Sequence, residues 1–221
     1  MDVPIERRLS NEVQARMARL QDLAIDALYS ADEKIVLHGG TAIWRCYSGN
    51  RFSDDLDLYV KTKGEISSIR NDLPFALKRY GIEVSKASAI GNSTVMNIRD
   101  SGAEVRLEIG AAPSALRPVE MSFERSNGMR TSILTLSPED LIAEKIVTYS
   151  SRRYARDLYD IYHLSPLSSV RAVQKIVCAF IDDIKPPVDE GSLESIVYSG
   201  AAPSFGGMVD SIRVRFCEIP K

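Results

Sequence analysis

Two aspartates separated by one residue, Asp55 and Asp57, form the pattern in this chain that is best suited to chemistry. They alternate with Leu56, Leu58 and Val60, which predicts a half-buried strand that presents both carboxylates on its polar face. Adjacent carboxylates repel each other unless a positive charge lies between them, and a hard divalent cation prefers oxygen ligands. The pair therefore predicts a site for Mg²⁺ or Mn²⁺, although a D-x-D pattern by itself also occurs on solvated surfaces.

A glycine pair, Gly39 and Gly40, ends the apolar run at residues 34–38 and predicts a turn between a strand and a helix. Backbone N–H groups in such a turn, at the N-terminus of a helix, can approach phosphate oxygens closely. The hydroxyl of Thr41 would add a further donor. Because glycine pairs also serve turns that bind nothing, it is their combination with the two aspartates that predicts a phosphate and metal site.

A third carboxylate is required if two metal ions are to be held about 3.5–4 Å apart. Within the run 105–109, apolar residues alternate with Arg106 and Glu108, which predicts a strand whose polar face carries that acid. Glu108 is the preferred third ligand, and Glu104, which shares the face, is the alternative. A surface pattern of Arg106 and Glu108 without any function is the competing interpretation.

The regions around these motifs divide the chain in two. Residues 1–136 mix helical and strand periodicities, whereas residues 137–221 are helical, with Ser137 and Pro138 marking a helix start. Helices are predicted at 5–29, 41–47, 66–80, from 138 to about 164, at 168–184 and at 190–198; strands are predicted at 34–38, 56–60, 82–87, 93–99, 104–109, 118–124 and 130–136. The expected fold class is α+β, a mixed sheet flanked by helices and followed by a C-terminal helical region.

Composition restricts the classes of protein that this chain can represent. Its 221 residues include 28 Lys and Arg against 30 Asp and Glu, a net charge of −2, so bulk charge alone cannot drive nucleic-acid binding. Only the segment with Lys145, Arg152, Arg153 and Arg156 concentrates basic residues. Three widely spaced cysteines argue against a zinc site or a disulfide framework. Without an apolar leader or a membrane-spanning run, a cytoplasmic, non-membrane protein is expected.

Two sequence blocks resemble a known family. The first is Gly39-Gly40-Thr41-Ala42 followed by Arg51-x-Ser53-x-Asp55-x-Asp57. It is similar to motifs of the DNA polymerase β superfamily of nucleotidyltransferases and, more narrowly, resembles the AbiEii family of nucleotidyltransferase toxins. The second block, 137–145 followed by Arg153 and 156–160, is similar to that family's second conserved motif, so the resemblance covers roughly residues 34–164. The chain has Glu108 where an Asp is common in the superfamily, and its helical tail after Leu164 is short.

The resemblance implies a minimal nucleotidyltransferase fold, in which residues 1–136 form the α/β core and residues 137–221 complete the active-site cleft. It implies transfer of a nucleoside monophosphate from an NTP to a hydroxyl acceptor, with release of pyrophosphate. It further implies a toxin of a toxin–antitoxin or abortive-infection system, with tRNA as a plausible acceptor and a cognate antitoxin as partner. The implied catalytic residues are Asp55, Asp57, Glu108, Lys145 and Asp157, the first three as metal ligands; the implied nucleotide contacts are Gly39, Gly40, Thr41, Arg51, Ser53 and Lys145.

Several of these residues also have structural interpretations. Lys145 could cover the apolar stripe of its own helix with its aliphatic stem. The pairs Arg153–Asp157 and Arg156–Asp160 are four residues apart and could form ion pairs on one helix face. The remaining candidates for chemistry or base stacking, which are His38, His163 and Trp44, are expected to be structural.

Two other functions fit the same residues. A small-molecule nucleotidyltransferase of the antibiotic-modifying kind would use the same three acids with a different acceptor pocket. A catalytically silent module of this fold would bind a nucleotide or a protein, although the intact pair of aspartates argues against it.

Overall fold

The computed structural model describes residues 3–31, 34–61, 63–91 and 93–218. Its strands are β1 (Val36–His38), β2 (Asp55–Val60), β3 (Glu83–Ile90), β4 (Ser93–Arg99), β5 (Glu104–Ala111), β6 (Val119–Glu124) and β7 (Arg130–Thr135). Its helices are α1 (Ile5–Arg8), α2 (Glu12–Ala31), α3 (Gly39–Cys46), α4 (Lys63–Arg79), α5 (Pro138–Arg152), α6 (Ala155–Leu164), α7 (Val170–Asp182), α8 (Leu193–Ile196) and α9 (Phe205–Phe216).

The strands form one mixed sheet in the order β3-β4-β5-β2-β1-β7-β6. β2 runs parallel to β5 and β1 runs parallel to β7, whereas the other neighbouring pairs are antiparallel. The strand that carries the two aspartates thus lies in the middle of the sheet, between β5 and β1. This arrangement confirms the predicted α+β class, a mixed sheet flanked by helices.

One face of the central strands is buried in the core. The apolar residues at alternate positions of β2 and β5 are at most 1% exposed: Leu56, Leu58, Val60, Val105, Leu107 and Ile109. α2 and α4 pack against each other and against β5. Because side chains along a strand point alternately to opposite faces, the polar residues of β2 and β5 must lie on the other face of the sheet.

The chain forms two compact units. The first comprises residues 1–46 and 52–136 and contains the whole sheet with α1 to α4. The second comprises residues 47–51 and 137–221 and contains α5 to α9. In the second unit α5 packs on α6 and α7, and α9 packs on α6 and α7. The short segment 47–51 therefore belongs to the helical unit although it precedes β2 in the chain.

The predicted helices differ from the structure in three places. The helix predicted at 190–198 is limited to the four residues of α8. The helix predicted at 5–29 is broken near Leu9, which has an extended backbone, so that α1 and α2 are separate. α9 was not predicted because Gly206 and Gly207 at its start disfavour a helix in isolation. Its start is nevertheless capped by Ser204, whose hydroxyl accepts a hydrogen bond from Gly207 N, and its buried residues Met208, Ile212 and Phe216 recur every four positions.

The expectation that the cysteines form no disulfide is wrong for two of them. Cys178 on α7 and Cys217 at the end of α9 are joined in a disulfide, with their Cα atoms 5.7 Å apart. They are 39 residues apart in sequence, and only the packing of α7 against α9 brings them together. Cys46 is a free, buried thiol, and burial raises its pKa to about 12.

Candidate active site

The parallel pairing of β2 and β5 decides which acid lies beside the aspartates. Asp57 is the direct neighbour of Glu108, and Asp55 is the direct neighbour of Arg106. All four residues are half-buried on the polar face of these strands. The structure therefore brings Asp55, Asp57 and Glu108 to one face of adjacent strands, as the alternation in sequence predicted.

The glycine turn lies in contact with Asp57. Gly39 has a φ of +69°, and a Cβ atom built on it would lie 2.2 Å from Asp57 Oδ2 and 3.1 Å from Asp57 Cβ. No other residue type fits there without displacing the carboxylate, and the positive φ is itself unfavourable for a residue with a side chain. The need for glycine at this position is thus explained by the aspartate that it accommodates.

Thr41 has a structural contact in this arrangement. Its hydroxyl donates a hydrogen bond to the backbone carbonyl of Asp55, and the residue is fully buried. It thereby ties the first turn of α3 to the start of β2. Ser53 is also buried, and its backbone carbonyl accepts a hydrogen bond from Gln21 Nε2 at 2.9 Å, which fixes the chain just before the two aspartates.

The two candidates for the third carboxylate differ in their surroundings. Arg106 Nη2 donates to Glu108 Oε2 at 2.6 Å, in an ion pair with side chains 41% and 35% exposed. Glu104 lies before the first β5 residue that pairs with β2, and its carboxylate accepts hydrogen bonds from Asn97 and Ser85. The register therefore favours Glu108 over Glu104 as the acid next to Asp57.

These residues fit a hard divalent cation in their chemistry. Asp55 and Asp57 supply oxygen donors on one face, and the turn at Gly39 leaves room for the Asp57 carboxylate where a Cβ atom would fill it. Within the described ranges, no group of three or more His, Cys, Asp or Glu side chains is gathered closely enough to hold a metal ion. One oxygen of Glu108, Oε2, accepts a hydrogen bond from Arg106. Binding of one cation by all three acids would require their side chains to move closer together.

The second unit contains a buried cluster of charges. Asp160, 1% exposed, accepts hydrogen bonds from Arg51 Nε and Nη2 at 2.6 Å each. Lys145 Nζ lies 2.7 Å from Asp160 Oδ2 and 3.2 Å from Asp157 Oδ1. Arg152 donates to both oxygens of Asp157, at 2.8 and 2.9 Å. The cluster thus joins three of the predicted site residues, Arg51, Lys145 and Asp157.

The ion pairs expected from helix spacing are not the ones that form. Asp157 pairs with Arg152 and Lys145 rather than with Arg153, and Asp160 pairs with Arg51 and Lys145 rather than with Arg156. Arg153 is the C-cap residue of α5 whereas Asp157 lies on α6, so these two residues do not share a helix. Both aspartates are also almost completely buried, so they face the interior of the unit.

Electrostatics keep Asp160 ionised inside the protein. Burial raises the pKa of this carboxyl, but the charges of Arg51 and Lys145 and their hydrogen bonds lower it, and the net result is a pKa below the ordinary value. A buried carboxylate that remains charged can hold a lysine ammonium firmly. Lys145 is itself 6% exposed, so it is a fixed cation and not a surface lysine.

Local sequence explains how α5 and α6 present this cluster. Ser137 caps α5 by accepting a hydrogen bond from Asp140 N at 3.1 Å, and Pro138 is the first helical residue, as predicted. α5 ends at Arg152, and the next residue, Arg153, adopts a left-handed conformation with a φ of 53°. The resulting turn lets α6 pack back on α5, which brings the two acids of α6 to Lys145.

The residues expected to be structural have structural contacts. Trp44 is 1% exposed and packs edge-on against Phe52. A ring nitrogen of His163 lies 2.8 Å from the carbonyl oxygen of Tyr47. His38 stacks on Tyr59, with ring centroids 3.7 Å apart, and it neighbours Asp57 across β1 and β2.

The fold is that of nucleotidyltransferase-like proteins. Two solved structures from Helicobacter pylori share the fold: JHP933 (TM-score 0.60, 19% identity, covering 93% of this chain and 90% of that one) and a protein with a provisional nucleotidyltransferase assignment (TM-score 0.59, 19% identity, covering 93% of each chain). Residues 23–194 match the family model described as "Nucleotidyl transferase AbiEii toxin, Type IV TA system".

The chain therefore belongs to the AbiEii nucleotidyltransferase toxin family, and the resemblance inferred from its two motif blocks is confirmed. Membership of a type IV toxin–antitoxin family suggests a cognate antitoxin as a partner. No match was found among the curated proteins. In the part of the chain that the structure describes, no helix is long and apolar enough to cross a membrane.

Proposed function

We propose that this protein transfers a nucleoside monophosphate from an NTP to a hydroxyl acceptor and releases pyrophosphate. The observation that carries the proposal is the seating of the Asp57 carboxylate against Gly39, in register with Glu108. Gly39 leaves space for the carboxylate of Asp57 on the polar face of a central strand, which is the arrangement that a cation-binding acid requires. Family membership supports the same chemistry.

In the proposed reaction the acceptor oxygen forms a bond to the α-phosphorus, and the bond from that phosphorus to the bridging oxygen breaks. Asp55 and Asp57 would hold Mg²⁺ or Mn²⁺, with Glu108 joining them, and the ion would neutralise phosphate charge and acidify the acceptor hydroxyl. The proton of the hydroxyl passes to Glu108, which is half-exposed. Pyrophosphate leaves with the electron pair of the broken bond.

The remaining predicted contacts have separate tasks in this proposal. The backbone N–H groups of Gly39 and Gly40 would bind the β- and γ-phosphates at the start of α3. Lys145, with Arg51, would supply fixed positive charge to the triphosphate. Asp157 would support Lys145 by its bond of 3.2 Å.

The acceptor in this proposal is an RNA, with tRNA as the specific candidate. Family membership in a toxin–antitoxin system supports an essential cellular target. A side-chain cluster that suits RNA lies at the junction of α5 and α6, where the guanidinium groups of Arg152 and Arg156 lie 5.1 and 5.7 Å from the ring of Tyr154. Tyr154 is 37% exposed, and an aromatic ring flanked by arginines can stack with bases and contact phosphates.

The test is incubation of the protein with each α-labelled NTP, Mg²⁺ and total RNA, followed by separation of labelled RNA from small molecules. We expect label in RNA of tRNA size, loss of labelling by at least about 100-fold in Asp57→Asn, and strong loss in Glu108→Gln. Glu104→Gln is the matched control on the same strand face and should transfer normally. If only a small molecule became labelled, the acceptor would be that molecule and not RNA. Full transfer by Asp57→Asn would overturn the mechanism.

A further inference from the structure

The carboxylate of Asp160 is contacted by two cationic side chains, Arg51 and Lys145. Arg51 binds it through two nitrogens at 2.6 Å each, and Lys145 binds it at 2.7 Å. Its side chain is 1% exposed. A bidentate guanidinium leaves a carboxylate little rotational freedom, so the oxygen that faces Lys145 is fixed in direction as well as in position.

Asp157 holds Lys145 less closely. Its oxygens accept two hydrogen bonds from Arg152, at 2.8 and 2.9 Å, and its distance to the lysine is 3.2 Å. Arg152 is partly exposed, with a side-chain relative accessibility of 37%. The shorter bond to Lys145 belongs to Asp160, and its arginine partner Arg51, with a side chain 5% exposed, is more deeply buried than Arg152. Asp160 is therefore the stronger constraint on the lysine ammonium.

A constraint of this kind matters because lysine has a long, flexible stem. A free ammonium samples many rotamers, and fixing them at the moment of reaction costs free energy. A buried carboxylate that has already fixed the ammonium removes that cost before the substrate arrives. The same carboxylate fixes Arg51, four residues before Asp55 in the chain.

We propose that Asp160 is the positioning residue of the reaction: it acts through Lys145, whose ammonium it holds in the orientation that receives the triphosphate of the NTP. The inference rests on the proposed function. It assigns to Asp160 a role that the motif resemblance gives to Asp157. Asp160 itself touches no substrate in this proposal, so removing its charge should act mainly through Lys145, and beyond that only through Arg51, which it also holds.

The experiment is a double-mutant cycle between Asp160→Asn and Lys145→Ala, measured as kcat and KM for the NTP per folded molecule. In the wild-type background Asp160→Asn should lower kcat/KM by at least about ten-fold. In the Lys145→Ala background it should lower kcat/KM by at most about three-fold, the part that acts through Arg51, because residues that act as a unit are not additive. NTP affinity measured by calorimetry gives the same cycle without turnover.

Asp26→Asn is the matched control. Asp26 also accepts a bidentate guanidinium, from Arg125 at 2.7 and 2.7 Å, but it lies on α2 and outside the proposed machinery. It should alter stability and leave kcat and KM unchanged. If Asp160→Asn does not fold, Asp160→Glu, which retains the charge but displaces it by one methylene, is measured in the same cycle.

Equal losses from Asp160→Asn in both backgrounds would overturn the inference, because a purely structural residue lowers activity whether or not Lys145 is present. Wild-type activity in Lys145→Ala would overturn it as well and would leave the proposed function of the aspartate pair intact. Failure of the proposed function has a different signature, which is no NTP-dependent labelling by the wild-type protein. In that case the calorimetric cycle decides the inference through NTP affinity.

Discussion

Substitution of Gly39 by alanine should disable the site through a single contact. The new Cβ atom would lie 2.2 Å from Asp57 Oδ2. Real contacts of this type are not shorter than 3.0 Å, so the oxygen must move by at least 0.8 Å, the difference between 3.0 and 2.2 Å. Rotation of the carboxylate alone does not relieve the contact, because the added atom would also lie 3.0 Å from Asp57 Cγ and 3.1 Å from its Cβ.

The expected magnitudes follow from that displacement. A misplacement of about 1 Å in a reacting group costs on the order of 100-fold in rate, which is about 2.7 kcal/mol of transition-state stabilisation. The positive φ of 69° costs a residue with a side chain roughly 1–2 kcal/mol of folding free energy. Overpacking against Asp57 adds roughly 1–3 kcal/mol to that loss.

Gly81→Ala separates the two contributions. Gly81 has a φ of +75°, and a Cβ atom there would meet nothing within 4 Å. This variant should lose only the roughly 1–2 kcal/mol of the backbone conformation and should transfer nucleotides normally. The assays are urea denaturation for the free energy of unfolding and label transfer for kcat/KM. In an Asp57→Ala background, Gly39→Ala should cost little more stability than Gly81→Ala does.

The reasoning is refuted if Gly39→Ala and Gly81→Ala show the same unfolding free energy and the same kcat/KM. If Gly39→Ala were as stable as Gly81→Ala but less active, the backbone would accommodate the added Cβ atom without loss of stability. A penalty at Gly39 that persists unchanged in the Asp57→Ala background would assign the strain to a neighbour other than the carboxylate.

Two further predictions concern stability. The disulfide closes a loop of 39 residues, so replacing Cys178 and Cys217 together by serine should lower the unfolding free energy of the oxidised protein by roughly 4 kcal/mol in the chain-entropy model. Urea denaturation with and without reductant checks this. A wild-type protein whose stability does not change with reductant would contradict it. The pKa of Asp160 is lower in the folded protein than in the unfolded chain, where it is about 4. The ionised carboxylate therefore stabilises the fold at pH values above the unfolded pKa, and this contribution is lost as the pH falls through the folded pKa. The acid-dependent loss of stability below about pH 4 should therefore be smaller in Asp160→Asn, and an identical slope in both proteins would exclude this source.

Local patterns were sufficient to predict the elements of the site. Alternation in β2 and β5 has a period of two and separates a buried face from a polar face, so the common face of Asp55, Asp57 and Glu108 follows from sequence. The glycine turn was predicted from the abrupt end of an apolar run. The hairpin of β6 and β7 follows in the same way from Asn127-Gly128, where Gly128 has a φ of +85°.

The order of the strands and their register could not be predicted in this way. β2 and β5 are parallel neighbours although two strands and a helix lie between them in the chain. Alternation places Glu104 and Glu108 on the same face of the strand, because they are four residues apart, and so it does not distinguish them. Only the pairing of Asp57 with Glu108 distinguishes them, and that pairing depends on long-range contacts that the local pattern does not contain.

The partners in the charge cluster could not be predicted for a related reason. The rule that residues four apart pair on a helix applies to exposed side chains, whereas Asp157 and Asp160 are buried. Buried acids need partners from elsewhere in the chain, and Arg51 is 109 residues from Asp160. The sequence signal that was available is the presence of two acids on the apolar face of α6, where Leu158, Ile161 and Leu164 are also buried.

Burial also decides how readily two of the arginine–carboxylate pairs can open, Arg106–Glu108 and Arg51–Asp160. Arg106 and Glu108 form a pair that is more than one third exposed on both sides, and such pairs contribute roughly 0–1 kcal/mol. In the proposed mechanism, Glu108 can therefore leave Arg106 for a divalent cation beside Asp57 at a cost of that order. Arg51 and Asp160 are almost completely buried, and removing one partner of such a pair costs roughly 3–5 kcal/mol. The first pair can therefore open during a reaction cycle, whereas the second must remain closed throughout, which is the behaviour required of a residue that positions Lys145.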